Sequence, residues 1–162
     1  MTQKQEGMTL IVKSITRLVL NFIILFGIYI ILYGHITPGG GFPGGVIVAT
    51  AFILLMLAFG RGVALKKFGD TTASVLDNIG ALAFLSIGFL GFMGGFFFLN
   101  VIGRGNLFDL FSAGTIPLSN IAIGLKVSAS LYAVFVALAI FGKVLVRREK
   151  DDKKSTEQEP RS

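Results

Sequence analysis

The sequence has no cysteine, and His35 is its one histidine among 162 residues. The absence of cysteine excludes disulfides, zinc–thiolate sites and thiol catalysis. A metal site built from histidines is implausible in a chain with a single histidine. Charged residues are also scarce, at 15% of the chain, and they are nearly missing from its long apolar stretches. We therefore expect neither a metal site nor a bound cofactor.

Long apolar runs dominate what is present: 53% of the residues are hydrophobic, and the mean hydropathy is +0.77. The first run, residues 15–33, would span about 28 Å as a helix, which matches a hydrocarbon core of about 30 Å. Comparable runs predict further spans at about 44–62, 76–99 and 118–143. No stretch alternates polar and apolar residues as the strands of a membrane barrel do. The sequence predicts an all-α membrane protein with four transmembrane helices.

The segments outside the membrane domain (residues 15–146) are short and polar. Residues 1–14 form a mixed N-terminal segment. Residues 147–162 combine alternating charges with serine and proline, a composition typical of disorder, so we expect a disordered tail.

Lysine and arginine are distributed unevenly, which predicts the orientation of the chain. With four spans, the N-terminal segment, the connection at 60–75 and the tail lie on one side. That side holds thirteen of the fifteen basic residues: Lys4, Lys13, Arg17, Arg61, Lys66, Lys67, Lys143, Arg147, Arg148, Lys150, Lys153, Lys154 and Arg161. Because such residues accumulate on the cytoplasmic side, we expect both termini in the cytoplasm. This placement explains the net charge of +6 without nucleic acid as a partner.

Residues 33–45, between the first two runs, contain six glycines, two prolines and the histidine. Pro38 and Pro43 each lack an N–H donor and restrict the preceding residue. Non-helical backbone at membrane depth must be buried in protein or line an aqueous cavity, and we expect packing against a neighbour. The loop lacks the Gly-Lys-Ser/Thr ending of a phosphate loop. His35 could shuttle protons here or satisfy carbonyls of the last helical turn, and both readings stay open.

Lys126 is the sharpest candidate for chemistry, since it lies about 11 Å inside the fourth span. A lysine at that depth costs several kcal/mol unless it is paired or faces water, and its stem of ~6 Å is too short to reach the interface. Asp77, at the start of the third span, is a further candidate for the ion path or for a charge pair between subunits, or it could simply complement the helix dipole. We expect the two to lie about 15–20 Å apart along the membrane normal. The counter-ion of Lys126 would then come from another subunit, with Thr50 as an uncharged acceptor at similar depth.

Small and polar residues in the spans favour helix association. Gly91 and Gly95 form a small-xxx-small pair that predicts close packing on another helix. Several polar residues are predicted to donate interhelical hydrogen bonds: Asn21, Ser86, Ser128 and Ser130. An ion path across about 30 Å needs several relay groups, which this chain lacks, so it reads as one part of a larger membrane complex.

Two stretches resemble a known family. Residues 34–45, GHITPGGGFPGG, are similar to the signature of the B subunit of multisubunit Mrp-type Na⁺/H⁺ antiporters. Residues 113–127, AGTIPLSNIAIGLKV, resemble the start of that family's last helix, including Lys126. The similarity extends from about residue 17 to residue 146. The signature residues present are Gly34, His35, Pro38, Gly39, Gly40, Gly41, Phe42, Pro43, Gly44 and Gly45.

The resemblance implies a small multi-pass subunit of the cell membrane, without catalysis of its own, in a Na⁺/H⁺ antiporter complex. Its implied partners are other membrane subunits and the bilayer, with Na⁺ and H⁺ as the transported ions. Homologous modules belong to ion-pumping membrane-bound hydrogenases and sulfur-reducing complexes, so an equivalent subunit there is an alternative. Another alternative is a purely structural assembly subunit outside the ion path. A third, a small autonomous channel or transporter, would have to move ions alone in liposomes.

Overall fold

The protein is predominantly helical over the residues that the computed structural model describes, which are 8–102, 105–106 and 113–157. The helices are α1 (Leu10–Tyr33), α2 (Gly41–Phe59), α3 (Arg61–Lys67), α4 (Asp70–Leu90) and α5 (Ile116–Glu157), with a 3₁₀ turn at Gly91–Gly94. By length and composition, α1, α2, α4 extended by the 3₁₀ turn, and the first 34 residues of α5 can each cross a membrane. This confirms the predicted all-α fold with four membrane helices.

The four long helices run alternately up and down. The backbone N–H of Met8 donates to the carbonyl of Ala58 over 3.0 Å, which places the start of α1 beside the end of α2. α5 lies between α2 and α4, and α1 packs on α2. We call the end that carries residues 34–40 and the start of α5 the loop end. The short helix α3 connects α2 to α4 at the opposite end.

Glycines let the helix backbones approach closely at several crossings. A Cβ atom at Gly44 of α2 would lie 2.9 Å from the carbonyl oxygen of Gly27 in α1. One at Gly45 would lie 2.8 Å from the carbonyl oxygen of Gly124 in α5. Real Cβ atoms do not approach backbone this closely, so these positions hold α1, α2 and α5 in contact. Membrane helices lack a hydrophobic drive to associate, and such close backbone contacts supply packing instead.

The prediction that Gly91 and Gly95 form a small-xxx-small pair on the face of a helix is wrong. α4 ends at Leu90, and Gly95 adopts a left-handed conformation with φ +99°. A Cβ at Gly91 would lie 2.6 Å from the Phe98 nitrogen, whereas one at Gly95 meets nothing within 4 Å. The reason is that the helix begins and ends earlier than the apolar run. These glycines turn the chain back on α4 instead of presenting a surface to a neighbouring helix.

An aromatic core holds the end opposite the loop. Tyr132 of α5 is fully buried, and its ring packs edge-on against Phe68 with centroids 5.0 Å apart. Its hydroxyl donates to the Phe68 carbonyl over 3.1 Å. Phe52 of α2 stacks on Phe68 at 4.7 Å. Buried tyrosines need such a hydrogen-bond partner, so this contact fixes α5 against the connection between α3 and α4.

The ends of the chain differ in part from the prediction. α1 already begins at Leu10, inside the predicted N-terminal segment 1–14, of which residues 1–7 lie outside the described part. α5 continues to Glu157, so residues 147–157 are helical where disorder was predicted. Lysine, arginine and glutamate are good helix formers, and Glu149 precedes Lys153 by four residues, a spacing that supports a helix. Residues 158–162 also lie outside the described part.

Candidate functional site

Lys126 and Asp77 form an ion pair between α5 and α4: the Lys126 Nζ lies 2.7 Å from the Asp77 Oδ1. The predicted separation of 15–20 Å is therefore wrong, and so is the inference that the counter-ion of Lys126 must come from another subunit. α4 begins at Asp70, which places Asp77 about 10 Å inside the helix instead of at its start. Lys126 lies about 15 Å into α5 from the loop end, so the two depths nearly meet.

A close helix crossing lies directly beside the pair. Gly80 of α4, one turn after Asp77, is buried against α5. A Cβ there would lie 2.9 Å from both the Ala122 carbonyl oxygen and the backbone nitrogen of Lys126. Because positions i and i+3 share a helix face, the glycine brings the Asp77 carboxylate within reach of the lysine. The ion pair therefore depends on a small residue at this crossing.

Ser130 completes the charged cluster, by which we mean Lys126, Asp77 and Ser130. Its hydroxyl donates to the Asp77 Oδ1 over 2.5 Å and lies 3.5 Å from the Lys126 Nζ. Ser130 follows Lys126 by one helical turn, so both donors reach the same oxygen. Among the described residues, no hydrogen bond is made to the second carboxylate oxygen of Asp77. The predicted interhelical role of Ser130 is thus confirmed.

The charged cluster is open to the outside of the chain. The Lys126 side chain keeps 46% of its surface exposed and that of Asp77 keeps 33%, although both lie in membrane-spanning helices. In hydrocarbon such an exposed pair is costly, since charges in membrane segments face a protein interior or a water-filled cavity. The pair has no net charge, which lowers this cost without removing it. A cation or proton at Asp77 would compete directly with the lysine ammonium.

Two other predicted candidates lie away from this cluster. Thr50 donates its hydroxyl within its own helix, to the carbonyl of Ile47 over 2.7 Å and to that of Val46 over 3.2 Å. Its side chain points to the exposed face of α2 and does not accept a bond from Lys126. His35 is half-buried in the turn that follows α1 at the loop end.

The remaining predicted hydrogen-bond donors behave as follows. Ser86 donates to the Leu82 carbonyl and Ser128 to the Leu125 carbonyl, both in their own helices. The predicted interhelical bonds of these two serines are therefore wrong. Short hydroxyl side chains in helices readily bond the carbonyl three or four residues earlier. Asn21 lies on the exposed side of α1 and lines a cavity near Arg17.

The glycine-rich loop is held by an asparagine that the sequence did not single out. The Asn120 Oδ1 accepts a hydrogen bond of 3.3 Å from the N–H of Gly41, the first residue of α2. A side-chain oxygen from α5 thus serves as the cap that α2 lacks in its own sequence. A Cβ at Gly34 would overlap the Gly40 Cα, so glycine at this position permits the loop to close.

The loop differs in part from the prediction. The predicted span 44–62 starts inside the glycine-rich stretch, and α2 begins there too, although three residues earlier, at Gly41. The loop packs against α5 of the same chain, and its packing against a neighbouring subunit stays a prediction. Pro43 is tolerated because it lies in the first helical turn, where its missing N–H is not needed.

A second asparagine organises the approach to α5. The Asn100 Oδ1 accepts a hydrogen bond of 3.2 Å from the Thr115 N–H. Gly114, with φ +65°, lies so close to this amide that a Cβ would overlap it. The positive φ and the lack of space both require glycine here. Asn100 and Asn120 therefore fix the loop end of the domain through backbone N–H groups.

The family described as "Domain related to MnhB subunit of Na+/H+ antiporter" matches residues 11–133. This chain belongs to that family. The matched range contains all three residues of the charged cluster, both asparagine contacts and the whole glycine-rich loop. It ends just after Tyr132, so the extension of α5 is not covered.

Relatives agree with this membership. The chain is 37% identical to the uncharacterized protein MJ1307 of Methanocaldococcus jannaschii, over 90% of its own length and 58% of that protein. Two shorter matches are to proteins named antiporter subunit mnhB2. In Staphylococcus epidermidis the identity is 46% over 35% of this chain and 40% of the relative. In Staphylococcus aureus it is 40% over 44% of this chain and 50% of the relative.

A solved structure has the same fold. It is a chain of the membrane-bound sulfane sulfur reductase, an archaeal respiratory membrane complex. The TM-score is 0.67 at 33% identity, covering 83% of this chain and 62% of that one. The chain thus spans less than two thirds of the length of these relatives. With its four apolar helices, this MnhB-related protein is a multi-pass membrane protein.

Proposed function

We propose that this MnhB-related protein is a non-catalytic subunit of a multisubunit monovalent cation/proton antiporter, and that its charged cluster takes part in ion movement. Family membership and the relatives named as antiporter subunits support the host complex. The observation that carries the proposal for the residues is the ion pair of Lys126 and Asp77 inside the membrane domain. Na⁺ and H⁺ are the proposed ions, and other membrane subunits are the proposed partners.

The geometry of the cluster suits reversible charge transfer. Lys126 and Ser130 both donate to one oxygen of Asp77, which leaves the other oxygen available to a proton or a cation. When either binds the carboxylate, the attraction that holds the ammonium weakens, and Lys126 can turn toward a neighbouring group. Departure of the proton or cation restores the pair. The cluster would thus alternate between a closed pair and a released lysine.

The open side of the cluster supports a neighbouring subunit. An ion pair that is one third to one half exposed at membrane depth is stable when protein or a water-filled path covers it. We propose that a helix of another subunit lies along α4 and α5 here and presents the next polar group of the ion path. A single chain lacks the several relay groups needed to cross the membrane, so the path continues in that partner.

Transport by the assembled complex tests the role of the cluster. Lys126→Ala is expected to lower Na⁺-dependent proton movement in inverted membrane vesicles at least about tenfold, which equals about 1.4 kcal/mol of barrier. The matched control is Lys66→Ala, an exposed lysine of α3. Copurification of the other subunits is measured on the same membranes. Normal assembly with undiminished transport in Lys126→Ala would refute the ion-linked role.

The same measurements separate the scaffold alternative. If the protein only assembles the complex, Lys126→Ala lowers the recovery of all subunits, and the transport per assembled complex stays unchanged. An autonomous transporter would instead move ions when the purified protein alone is placed in liposomes, and we expect no such movement.

A redox-driven ion pump is a second candidate host. It is favoured by the match to a chain of the sulfane sulfur reductase, with 33% identity over 83% of this protein. In that case the charged cluster would serve the same ion-linked step, driven by electron transfer in other subunits. Mass spectrometry of the purified complex decides between the hosts: iron–sulfur subunits would indicate a redox pump and their absence a stand-alone antiporter.

We also propose that both termini face the cytoplasm, because thirteen of fifteen lysines and arginines belong to that side. The natural absence of cysteine makes the test simple. Ile36→Cys at the loop end and Arg147→Cys on α5 each create a single thiol. In intact cells, a membrane-impermeant maleimide should label the first and not the second, and the reverse pattern would refute this orientation.

A further inference from the structure

Polar residues descend one face of α1 from its start. Lys13, Arg17 and Asn21 are spaced four residues apart, so they lie on one stripe of the helix. Arg17 lies about 10 Å from the first residue of α1, and helical side chains tilt toward the N-terminus. Its guanidinium therefore reaches back to the end of the membrane span. There it lies 5.4 Å from the ring centre of Phe59, the last residue of α2.

A cavity of about 430 Å³ opens next to this guanidinium. Arg17 and Asn21 provide its polar part on α1, and apolar side chains form the remainder. The lining residues are Arg17, Leu20, Asn21, Leu55, Phe59 and Val63. The cavity is distinct from the charged cluster, which lies between α4 and α5. None of its residues is used by the proposed ion movement.

Arg17 has no anionic partner among the residues that the structure describes. Its contact with Phe59 is a cation–π interaction, which orients the guanidinium and leaves its N–H donors to the cavity. The guanidinium fork binds phosphate through two parallel hydrogen bonds. An arginine at the edge of a membrane span that is oriented by a ring, and that has no anionic partner in the described part of the chain, is therefore suited to hold an anion.

From this arrangement we infer that the cavity binds an anionic phospholipid, with its phosphate on Arg17 and an acyl chain along the apolar wall. Asn21 lies one turn deeper than Arg17, at the level where a lipid carries its ester carbonyls below the phosphate. Leu20, Leu55 and Val63 offer the acyl chain an apolar surface. Lys13, one turn nearer the start of α1 on the same stripe, adds a second positive charge to this face of the helix. Basic pockets between membrane helices bind anionic head groups in this way.

Lipid retention tests the inference on the full-length protein purified in detergent. Native mass spectrometry is recorded with phosphatidylglycerol and with phosphatidylcholine of the same acyl chains. We expect the unchanged protein to keep phosphatidylglycerol preferentially. Arg17→Gln should weaken this binding about tenfold or more, because a charge-assisted contact to phosphate is lost. The matched control Arg148→Gln, an exposed arginine of α5, should bind as the unchanged protein does.

Two further experiments distinguish a lipid from a free phosphate as the source of the anion, and test whether the apolar wall of the cavity is needed. Glycerol 3-phosphate at the same concentration should not displace the lipid, because it lacks the acyl chain. Val63→Trp keeps the arginine but narrows the cavity, and it should also weaken lipid binding. Thermal melting confirms that each variant is folded. Should Arg17→Gln fail to fold, Val63→Trp and the glycerol 3-phosphate competition decide.

Several results would overturn the inference. Equal retention of phosphatidylglycerol by Arg17→Gln and the unchanged protein is one, and full displacement by glycerol 3-phosphate is another. Unchanged lipid binding by folded Val63→Trp would show that the apolar wall of the cavity does not hold the acyl chain. A protein with no lipid preference, from which Arg17→Gln releases a copurifying acidic subunit, would assign the site to a partner's carboxylate.

Discussion

The Nζ of Lys126 and the Oδ1 of Asp77 lie 2.7 Å apart across the contact between α4 and α5, although 49 positions separate them in the sequence. Ser130 donates to the same oxygen, so the carboxylate is held by two donors from one helix. Each charge is supported by the other within a membrane-spanning region. This mutual dependence leads to the first prediction.

The single variants Lys126→Met and Asp77→Leu should each destabilise the protein by about 1–3 kcal/mol, because each leaves one charge without its partner. This loss is smaller than for a fully buried pair, since 46% of the Lys126 side chain and 33% of the Asp77 side chain are exposed. The double variant removes both charges and should recover most of that loss. Thermal melting of the purified protein measures stability for all four sequences. Transport should nevertheless stay low in the double variant, since the ion-linked groups are gone.

The contrast between stability and transport is what makes this cycle informative. Additive losses in the double variant would mean that the two side chains do not stabilise each other. Recovery of both stability and transport would show that the pair is only structural.

Ser130→Ala should lower transport about three- to tenfold while leaving assembly intact, since one hydrogen bond of about 1 kcal/mol to the carboxylate is lost. Ser130→Thr keeps the hydroxyl and should restore most of the transport. The measurement is Na⁺-dependent proton movement at several Na⁺ concentrations. If Ser130→Ala and Ser130→Thr behave alike, the hydroxyl does not position Asp77.

Gly80→Ala should destabilise the domain by about 1–3 kcal/mol, because the added methyl group forces α4 away from α5. The matched control is Gly142→Ala in α5, where a Cβ would meet nothing within 4 Å. That change should be neutral or stabilise by up to about 1 kcal/mol, since alanine favours helix. Equal melting temperatures for the two variants would contradict the close crossing beside the ion pair.

Asn120→Leu should cost about 0.5–2 kcal/mol, the usual effect of losing a helix cap. Leucine fills a similar volume but cannot accept the hydrogen bond of Gly41. Asn120→Asp keeps an acceptor at the positive end of α2 and should retain stability. Hydrogen exchange at the Gly41 amide reports the cap directly, and unchanged protection in Asn120→Leu would contradict it.

The number and type of helices followed from the sequence because run length and apolar composition decide which segments can cross a membrane. The helix limits did not follow, since an apolar run shows where lipid is tolerated and not where backbone hydrogen bonding starts. α4 begins at Asp70, six residues before the predicted span, in a stretch that is polar but compatible with helix. Six residues correspond to about 9 Å, and this shift largely accounts for the error over Asp77 and Lys126.

Contacts between distant segments were the other gap. The importance of Lys126 could be seen from its depth alone, and Ser130 follows it at helical spacing. Asn120 gave no comparable signal, because the group it serves lies 79 positions away. The missing cap of α2 was the one available hint: a helix that begins with glycines needs an acceptor from elsewhere. Which asparagine supplies it depends on how α5 packs.

α5 makes three contacts with its neighbours along one continuous helix. Asn120 bonds to α2, Lys126 to α4, and Tyr132 to the Phe68 carbonyl. A helix is stiff along its axis, so its register relative to its neighbours is set three times over. Sliding α5 by one turn, about 5.4 Å, would break every one of these bonds together. Any motion that releases Lys126 from Asp77 while Asn120 and Tyr132 stay bound must therefore be a side-chain rotation or a displacement of α4, and not a piston movement of α5.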